Sequence, residues 1–329
     1  MTSISEATPE RIEMPADRLT DDEVRIAFRF AFGREPRQVD IEWHRRNETF
    51  EDLRSAFLHS EEFRSINGFD PRTLGRRIAV ETATGLTIWV TLDDLYVSRG
   101  VIAGQWEPHE TTFLSSQLHA GSTFVDVGAF IGWFSLTAAQ IVGPAGLVVA
   151  FEPQVEAHEL LRRSVFHNRF EDRVTTFPLA LSDRNSEAVL YRDGLSDAGG
   201  ASNQGHAWIN SANAEDNGFA VRTVQTVKLD DLSLRRKIDA IKIDAEGAEW
   251  LVLKGGERTV RASHPVVICE LYPRQLAKVS HVTGDDLISL MRDWGYSANV
   301  LENDGNSLRA FRPEDMPQQE NAYTTVVFR

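Results

Sequence analysis

The stretch Thr123-Phe124-Val125-Asp126-Val127-Gly128-Ala129-Phe130-Ile131-Gly132 decides how the rest of the chain is read. A short apolar run ends in an acid, passes through two glycines and enters a helically periodic segment over 133–141. That order predicts a buried parallel strand, a tight loop and the first turn of a helix. Glycines let the backbone approach a ligand closely, and a helix N-terminus offers free N–H groups. Glu152 closes a second apolar run at 147–151, where an acid can accept both hydroxyls of a ribose. An adenosine-containing cofactor is the first inference.

The missing residues say which one. A dinucleotide fingerprint needs glycine at the third loop position, where the backbone touches a pyrophosphate. Phe130 stands there, and the pattern is G-x-x-x-G. Asp126 just before the loop would repel phosphates and suit an ammonium group. S-adenosylmethionine has a ribose, an ammonium, a sulfonium and no phosphate, so it fits better. The plain alternative is an ordinary strand–helix turn with a chance acid.

Outward from this point strands and helices alternate. Strands are expected at 123–127, 147–151, 173–177, 238–243 and 265–270, and helices at 133–141, 155–168 and 249–261. Such alternation means a parallel sheet with helices on both faces. Two further strands at 296–301 and 324–329 read as an antiparallel terminal hairpin on that sheet. Upstream, alternating residues over 78–82 and 86–90 flank Thr84-Gly85 and predict a β-hairpin, followed by a helix near 109–119. Thr20-Asp21-Asp22-Glu23 is a capping box that opens a small helical module over 20–68. Its aromatics fall at helical spacing and read as core. Residues 1–19 are polar and aperiodic, which predicts a flexible tail, and 75–329 form the larger domain. Segment 193–220 is long, polar and glycine-rich, and reads as a substrate-covering loop carrying His206.

Composition narrows the partners. The 329 residues carry 35 basic and 49 acidic side chains, a formal charge of −14, which argues against nucleic acid or an anionic membrane as partner. No apolar run approaches the roughly 20 residues of a membrane span. No secretory signal pattern opens the sequence, so the expected location is cytoplasmic. Cys269 is the single cysteine and reads as a buried strand residue, excluding an internal disulfide or a multi-cysteine metal site. The sequence leaves a homo-oligomer open.

In open α/β sheets the ligand lies outside the carboxyl ends of the strands. That rule gathers Asp126, Glu152, Ser182, Asp183, Asp244 and Glu270 at one edge. The apolar strand before Asp244 delivers it to the rim, and Gly247 permits close approach before the next helix. Asp244 could orient or deprotonate a hydroxyl nucleophile, with Glu246 beside it and His206 as a second candidate base. Alternatively Asp244 and Glu246 simply cap the helix at 249–261. Asp244, Glu246 and Glu270 are also compatible with a divalent cation, which is not predicted.

Several short motifs then stand in order: Trp106-Glu107-Pro108, residues 124–132, residues 149–153, Asn168, residues 180–183, 227–231, 241–249 and 253–255. Together, over about half of the chain, they resemble the FkbM family of S-adenosylmethionine-dependent methyltransferases. The resemblance implies a class I methyltransferase (Rossmann-like) α/β fold, a seven-stranded sheet of order 3-2-1-4-5-7-6, beside the small N-terminal helical domain. It implies cofactor contacts at Glu107, Asp126, Gly128, Phe130, Gly132, Glu152, Pro153, Ser182, Asp183 and Asp244. It places Asp126, Gly128 and Gly132 around the methionine part, Glu152 on the ribose and Ser182 and Asp183 near the adenine. Asp244 faces the methyl group and the acceptor. Phe130 departs from the family's frequent asparagine. The expected activity is O-methylation of a hydroxyl on a sugar, glycan or glycosylated natural product, so the expected partner is a small-molecule or glycan acceptor. The rival readings are a non-catalytic glycan-associated module and a nicotinamide-dependent oxidoreductase.

Overall fold

The computed structural model describes residues 19–32, 35–45, 53, 56–57, 77–92, 94, 96–192, 207–210, 219–232, 234, 236–319 and 322–329. The chain divides into two compact units, residues 1–75 and 76–329. In the first, α1 (Asp21–Phe32) and α2 (Gln38–His44) are helical. The capping box forms as the sequence predicts. Thr20 N–H donates to Glu23 Oε2 at 2.8 Å, and Glu23 N–H donates to Thr20 Oγ1 at 3.3 Å. Leu19, assigned from sequence to the tail, is buried with Val24, Phe28, Ile41, Leu53 and Phe57 in this unit's core. The remainder of the predicted tail lies outside the described residues.

The second unit is built on an eight-stranded sheet. Its strands are β3 (Thr123–Val127), β4 (Leu147–Phe151), β5 (Val174–Phe177), β10 (Ala240–Ile243), β11 (Val266–Leu271), β12 (Ala298–Leu301), β13 (Leu308–Ala310) and β14 (Thr324–Phe328). Their spatial order is β13-β12-β14-β11-β10-β3-β4-β5. The strands from β5 to β11 run parallel, and β14 inserts antiparallel between β11 and β12. This is the expected class I order, with β13 as one extra edge strand. Alternation divides the core between two faces. Val125, Val149, Ile241, Ile243 and Val267 pack with Val252, Leu253, Leu287 and Met291 on one side. Phe124, Val148, Ala150, Ala240 and Ile268 pack with Leu136, Ala139 and Leu161 on the other. Successive strand side chains point to opposite faces, so a residue in phase with Ala240 faces the second cluster. Lys242 is that residue.

The helices flanking the sheet are α3 (Val97–Ile102), α4 (Pro108–Gln117), α5 (Trp133–Val142), α6 (Val155–His167), α7 (Glu249–Gly255), α8 (Glu257–Ser263), α9 (Pro273–Val279) and α10 (Gly284–Asp293). The single helix expected over 249–261 is interrupted at Gly256, giving α7 and α8. The predicted hairpin is β1 (Arg77–Glu81) with β2 (Thr87–Thr91), paired antiparallel.

One expectation needs correction. Segment 193–220 is not a continuous loop, because Ala207–Asn210 forms β8 and Phe219–Val227 forms β9. With β6 (Ala180–Leu181) and β7 (Ser186–Arg192) they make a second sheet of order β6-β9-β7-β8. Leu190, Trp208, Ile209 and Val224 of this sheet are buried in one cluster with Ala248 and Val279. Four residues of β8 between two polar stretches carry too little periodicity to stand out, and only pairing with β7 defines them. Residues 193–206, His206 among them, and 211–218 lie outside the described residues.

Candidate functional site

A cavity of about 990 Å³ opens at the carboxyl ends of β3, β4, β10 and β11. One side of it is backbone geometry. Gly128, at φ 79°, lies so close to the next strand that an added Cβ would sit 1.8 Å from the Asp244 carbonyl oxygen. Phe130 adopts φ 47°, a conformation asparagine enters more readily than phenylalanine. Its N–H donates to Glu152 Oε2 at 2.8 Å, and Gln154 N–H donates to Glu152 Oε1 at 2.7 Å. The Glu152 carboxylate therefore ties the glycine loop to the end of β4 while its edge faces the cavity. Burial pushes that carboxyl up to about 7 against the pull of the two amides.

The opposite side is built from charge. Lys242 is buried in the middle of a sheet strand, and its Nζ lies 4.4 Å from the Phe134 ring centroid. A buried ammonium needs anionic partners. It finds Asp244 Oδ2 at 2.7 Å and Glu107 Oε2 at 3.6 Å. Burial works against the ammonium, but Asp244 and Glu107 outweigh it and hold Lys242 well above the ordinary lysine range. Burial raises Glu107 to about 7 despite the lysine, with Asp244 and Glu110 adding repulsion. Glu107 reaches the cluster because its backbone is left-handed, at φ 39°, just before Pro108. Thr111 braces this entry, donating to the Trp106 carbonyl at 2.9 Å and accepting from Trp133 Nε1 at 2.9 Å.

Glu246 and Glu270 complete the acidic side. Oxygens of Asp244, Glu246 and Glu270 lie within 4.8 Å of one another. Burial, then repulsion from Asp244 and Glu246, drives the Glu270 carboxyl well above the ordinary range. The turn after β10 is held by Glu249, whose Oε1 accepts from Ala245 N–H at 3.0 Å and Gly247 N–H at 3.1 Å. Glu249 thus satisfies two of the amides ahead of α7. Three carboxylates this close can hold a cation, but the Lys242 ammonium already stands beside Asp244, and we assign no metal here.

Of the sequence-predicted residues, Glu107, Gly128, Phe130, Glu152, Pro153, Asp244 and Glu246 line the cavity together. Asp126, Gly132, Ser182 and Asp183 do not form its wall. Asp126 is fully buried beneath the loop and accepts from Ser135 Oγ at 2.5 Å, and burial raises its carboxyl to about 6. It holds the loop from behind. Gly132 packs toward Leu161. Ser182 N–H is bonded to the Val227 carbonyl, and Asp183 turns to Arg184 at 2.9 Å, leaving Leu179, Ala180 and Leu181 on the wall. His206 lies outside the described residues. Sequence reasoning passed over Lys242, although a lysine inside the apolar run 240–243 is a signal in itself. It also missed Tyr272, Arg274 and Lys278, placed by a short helix that carries no motif.

The chemistry of this lining fits a cofactor with positive charge and a ribose. Carboxylates dominate, which favours an ammonium and a sulfonium and disfavours a pyrophosphate. Glu152 with the 128–130 loop and Glu107 would hold such a group, and it would supply an electrophilic methyl group.

The family model for the methyltransferase FkbM domain matches residues 126–298, more than half of the chain. A comparison with curated proteins returned no match. Among solved structures, the chain is similar to methyltransferase FkbM from Methylobacillus flagellatus at 16% identity and a TM-score of 0.40. That alignment covers 64% of this chain and 44% of the other, so the chain spans under half of that protein's length. It is also similar to a SAM-dependent O-methyltransferase from Thermotoga maritima, at 12% identity and a TM-score of 0.35, covering 78% of this chain and 93% of that one. Among the described residues no helix is long and apolar enough to cross a membrane.

Proposed function

The chain belongs to the FkbM methyltransferase family, and from that premise we propose that it is an S-adenosylmethionine-dependent O-methyltransferase acting on a sugar, glycan or glycosylated natural product. One observation carries the reading: Glu152, at the place of a ribose-binding acid, lines the same cavity as the clustered carboxylates of Asp244, Glu246 and Glu270. Its volume of about 990 Å³ lies at the upper end of what a single ligand occupies, so cofactor and acceptor fit together. Tyr96, Trp106, Tyr272 and Tyr323 line it alongside the carboxylates. Aromatic faces for ring C–H groups beside acceptors for hydroxyls suit a saccharide.

Methyl transfer from a sulfonium needs alignment more than covalent help from the protein. Holding the acceptor oxygen in line contributes through proximity, and the rim carboxylates orient and deprotonate the hydroxyl. Asp244, one residue past β10, faces that rim in this reading, with Glu246 beside it.

Calorimetry with S-adenosylmethionine and with NAD tests it. Binding of the first and not the second is expected; the reverse would revive an oxidoreductase, and binding of neither would leave a non-catalytic module. Asp244→Asn should lose methyl transfer to a panel of methyl glycosides while keeping cofactor affinity.

A further inference from the structure

We propose that Glu270 takes the proton from the acceptor hydroxyl, while Asp244, locked to the Lys242 ammonium, orients that hydroxyl without deprotonating it. This assignment rests on the methyl-transfer reading above and divides the work of its acidic rim.

The geometry separates the two acids. Asp244 Oδ2 receives a hydrogen bond from Lys242 Nζ at 2.7 Å. An ammonium at that distance favours the charged carboxylate and so weakens it as a base. Glu270 stands on the neighbouring strand. The β10–β11 register pairs Ile243 with Cys269, and one step further brings Asp244 and Glu270 side by side at the rim. Among the described residues, no basic side chain lies within ion-pair distance of the Glu270 carboxylate and no donor hydrogen-bonds it. Yet it lines the cavity, within 4.8 Å of Asp244 and Glu246 oxygens.

The groups whose charge acts on it come from several neighbouring elements, and Tyr272, just ahead of α9, and Arg274 and Lys278 within it line the same cavity. Asp244 and Glu246 approach from the turn after β10, Lys242 from within β10 and Glu107 from the start of α4. Tyr323 faces it from the segment ahead of β14, and Cys269 precedes it in its own strand. Burial and the two nearest acids raise its proton affinity, which is what a base working near neutrality needs.

The charges balance across the step. One lone pair of the acceptor oxygen forms the new C–O bond as the methyl group leaves sulfur, whose bonding electrons stay behind. The O–H proton passes to a Glu270 oxygen. One sulfonium and one carboxylate become a neutral thioether and a neutral carboxylic acid. Before transfer, positive charge in the cavity favours ionised Glu270; afterwards that charge is gone and Glu270 retains the proton more firmly.

The test titrates the full chain carrying ¹³C at its glutamate side-chain carboxyl carbons. It is loaded either with S-adenosylhomocysteine or with sinefungin, whose amine stands in for the sulfonium charge. The Glu270 signal is the one absent from Glu270→Gln, or from Glu270→Asp should the first variant not fold. It should titrate far above the ordinary carboxylate range with S-adenosylhomocysteine and clearly lower with sinefungin. Ordinary titration in both complexes overturns the assignment, as does a signal that moves on adding EDTA, which would make these carboxylates metal ligands. Failure of both compounds to bind by calorimetry sinks the methyl-transfer reading instead. On any methyl glycoside the wild-type chain methylates, Glu270→Gln should slow transfer about 10²–10⁴-fold, and an equal rate overturns the proposal.

Discussion

The two sides of the cavity are made by different physics. The loop side is positioned by backbone: a glycine pressed against the next strand, and a carboxylate gripped by two amides. The rim side is positioned by charge: one buried lysine gathers Asp244 and Glu107 from segments far apart in the chain. Backbone hydrogen bonds and close packing fix a shape that hardly depends on solution conditions. A cluster of buried acids around one ammonium depends on protonation, and so on pH and on the charge of whatever is bound. The first side suits recognition of a constant cofactor, the second suits chemistry in which a proton moves.

That contrast can be broken most severely at Lys242. Lys242→Met leaves Asp244 and Glu107 without their buried cation, and destabilisation of about 3–5 kcal/mol is expected in urea unfolding at neutral pH. The loss should shrink on acidification, as the two carboxyls become neutral; a pH-independent loss would mean that packing, not charge, holds the rim.

Gly128→Ala attacks the other side. A methyl group 1.8 Å from the Asp244 carbonyl, at φ 79°, must push the loop off β10, and a loss of about 3 kcal/mol is expected in the same measurement. This loss should barely change with pH. Parallel pH behaviour in the two variants would erase the distinction between the sides.

Glu152→Gln sharpens it, because Glu152 belongs to the loop side yet titrates. Its amide NH₂ would face an N–H that now donates to a Glu152 oxygen, and a loss of about 1–3 kcal/mol is expected at acidic pH. Wild type has a second dependence. Glu107, Glu152 and Glu249 are raised to about 7 and Asp126 to about 6, so the folded chain binds these protons more tightly than the unfolded one. Their stabilisation is complete below the ordinary carboxylate range and is lost as pH rises through 6 and 7. The melting temperature of the unliganded chain should therefore show this loss between weakly acid and weakly alkaline buffer. Glu152→Gln should lose less over the same interval, and an identical slope in thermal scans would count against a buried, titrating Glu152.

The smallest effect is expected at Asp183. Its carboxylate pairs with an exposed arginine and stands off the cavity wall. Asp183→Ala should change stability by less than about 1 kcal/mol and leave S-adenosylmethionine affinity unchanged by calorimetry. A marked loss of affinity would return Asp183 to the adenine subsite, where the family resemblance puts it.

How much could be read in the sequence varied with range. Asp126, Gly128 and Glu152 were legible because each sits at a fixed offset from the end of a continuous apolar run. Ser182 and Asp183 sit at an equally regular offset, but the strand before them left the main sheet for a smaller one, and the cavity wall falls on the residues just ahead. Alternation predicted the parallel sheet and the family resemblance implied its seven-strand order, whereas β6 to β9 followed from neither, being short and separated by polar stretches. Lys242 was visible as an odd residue in an apolar run, without any indication of its partners. Glu107 stood in a quoted motif, yet nothing local foretold that a left-handed backbone would aim it at Lys242.

The amino-acid sequence by itself determined the parallel core, the glycine loop and the acids that end its strands, because these depend on periodicity and on residues adjacent in the chain. Only the tertiary structure decided which acids meet. Strand register set Asp244 beside Glu270, and the phase of β10 turned Lys242 into the apolar face where it must be neutralised. A charge's proton affinity is set by burial and by neighbours a few ångströms away, and those neighbours come from elements more than a hundred residues apart along the chain.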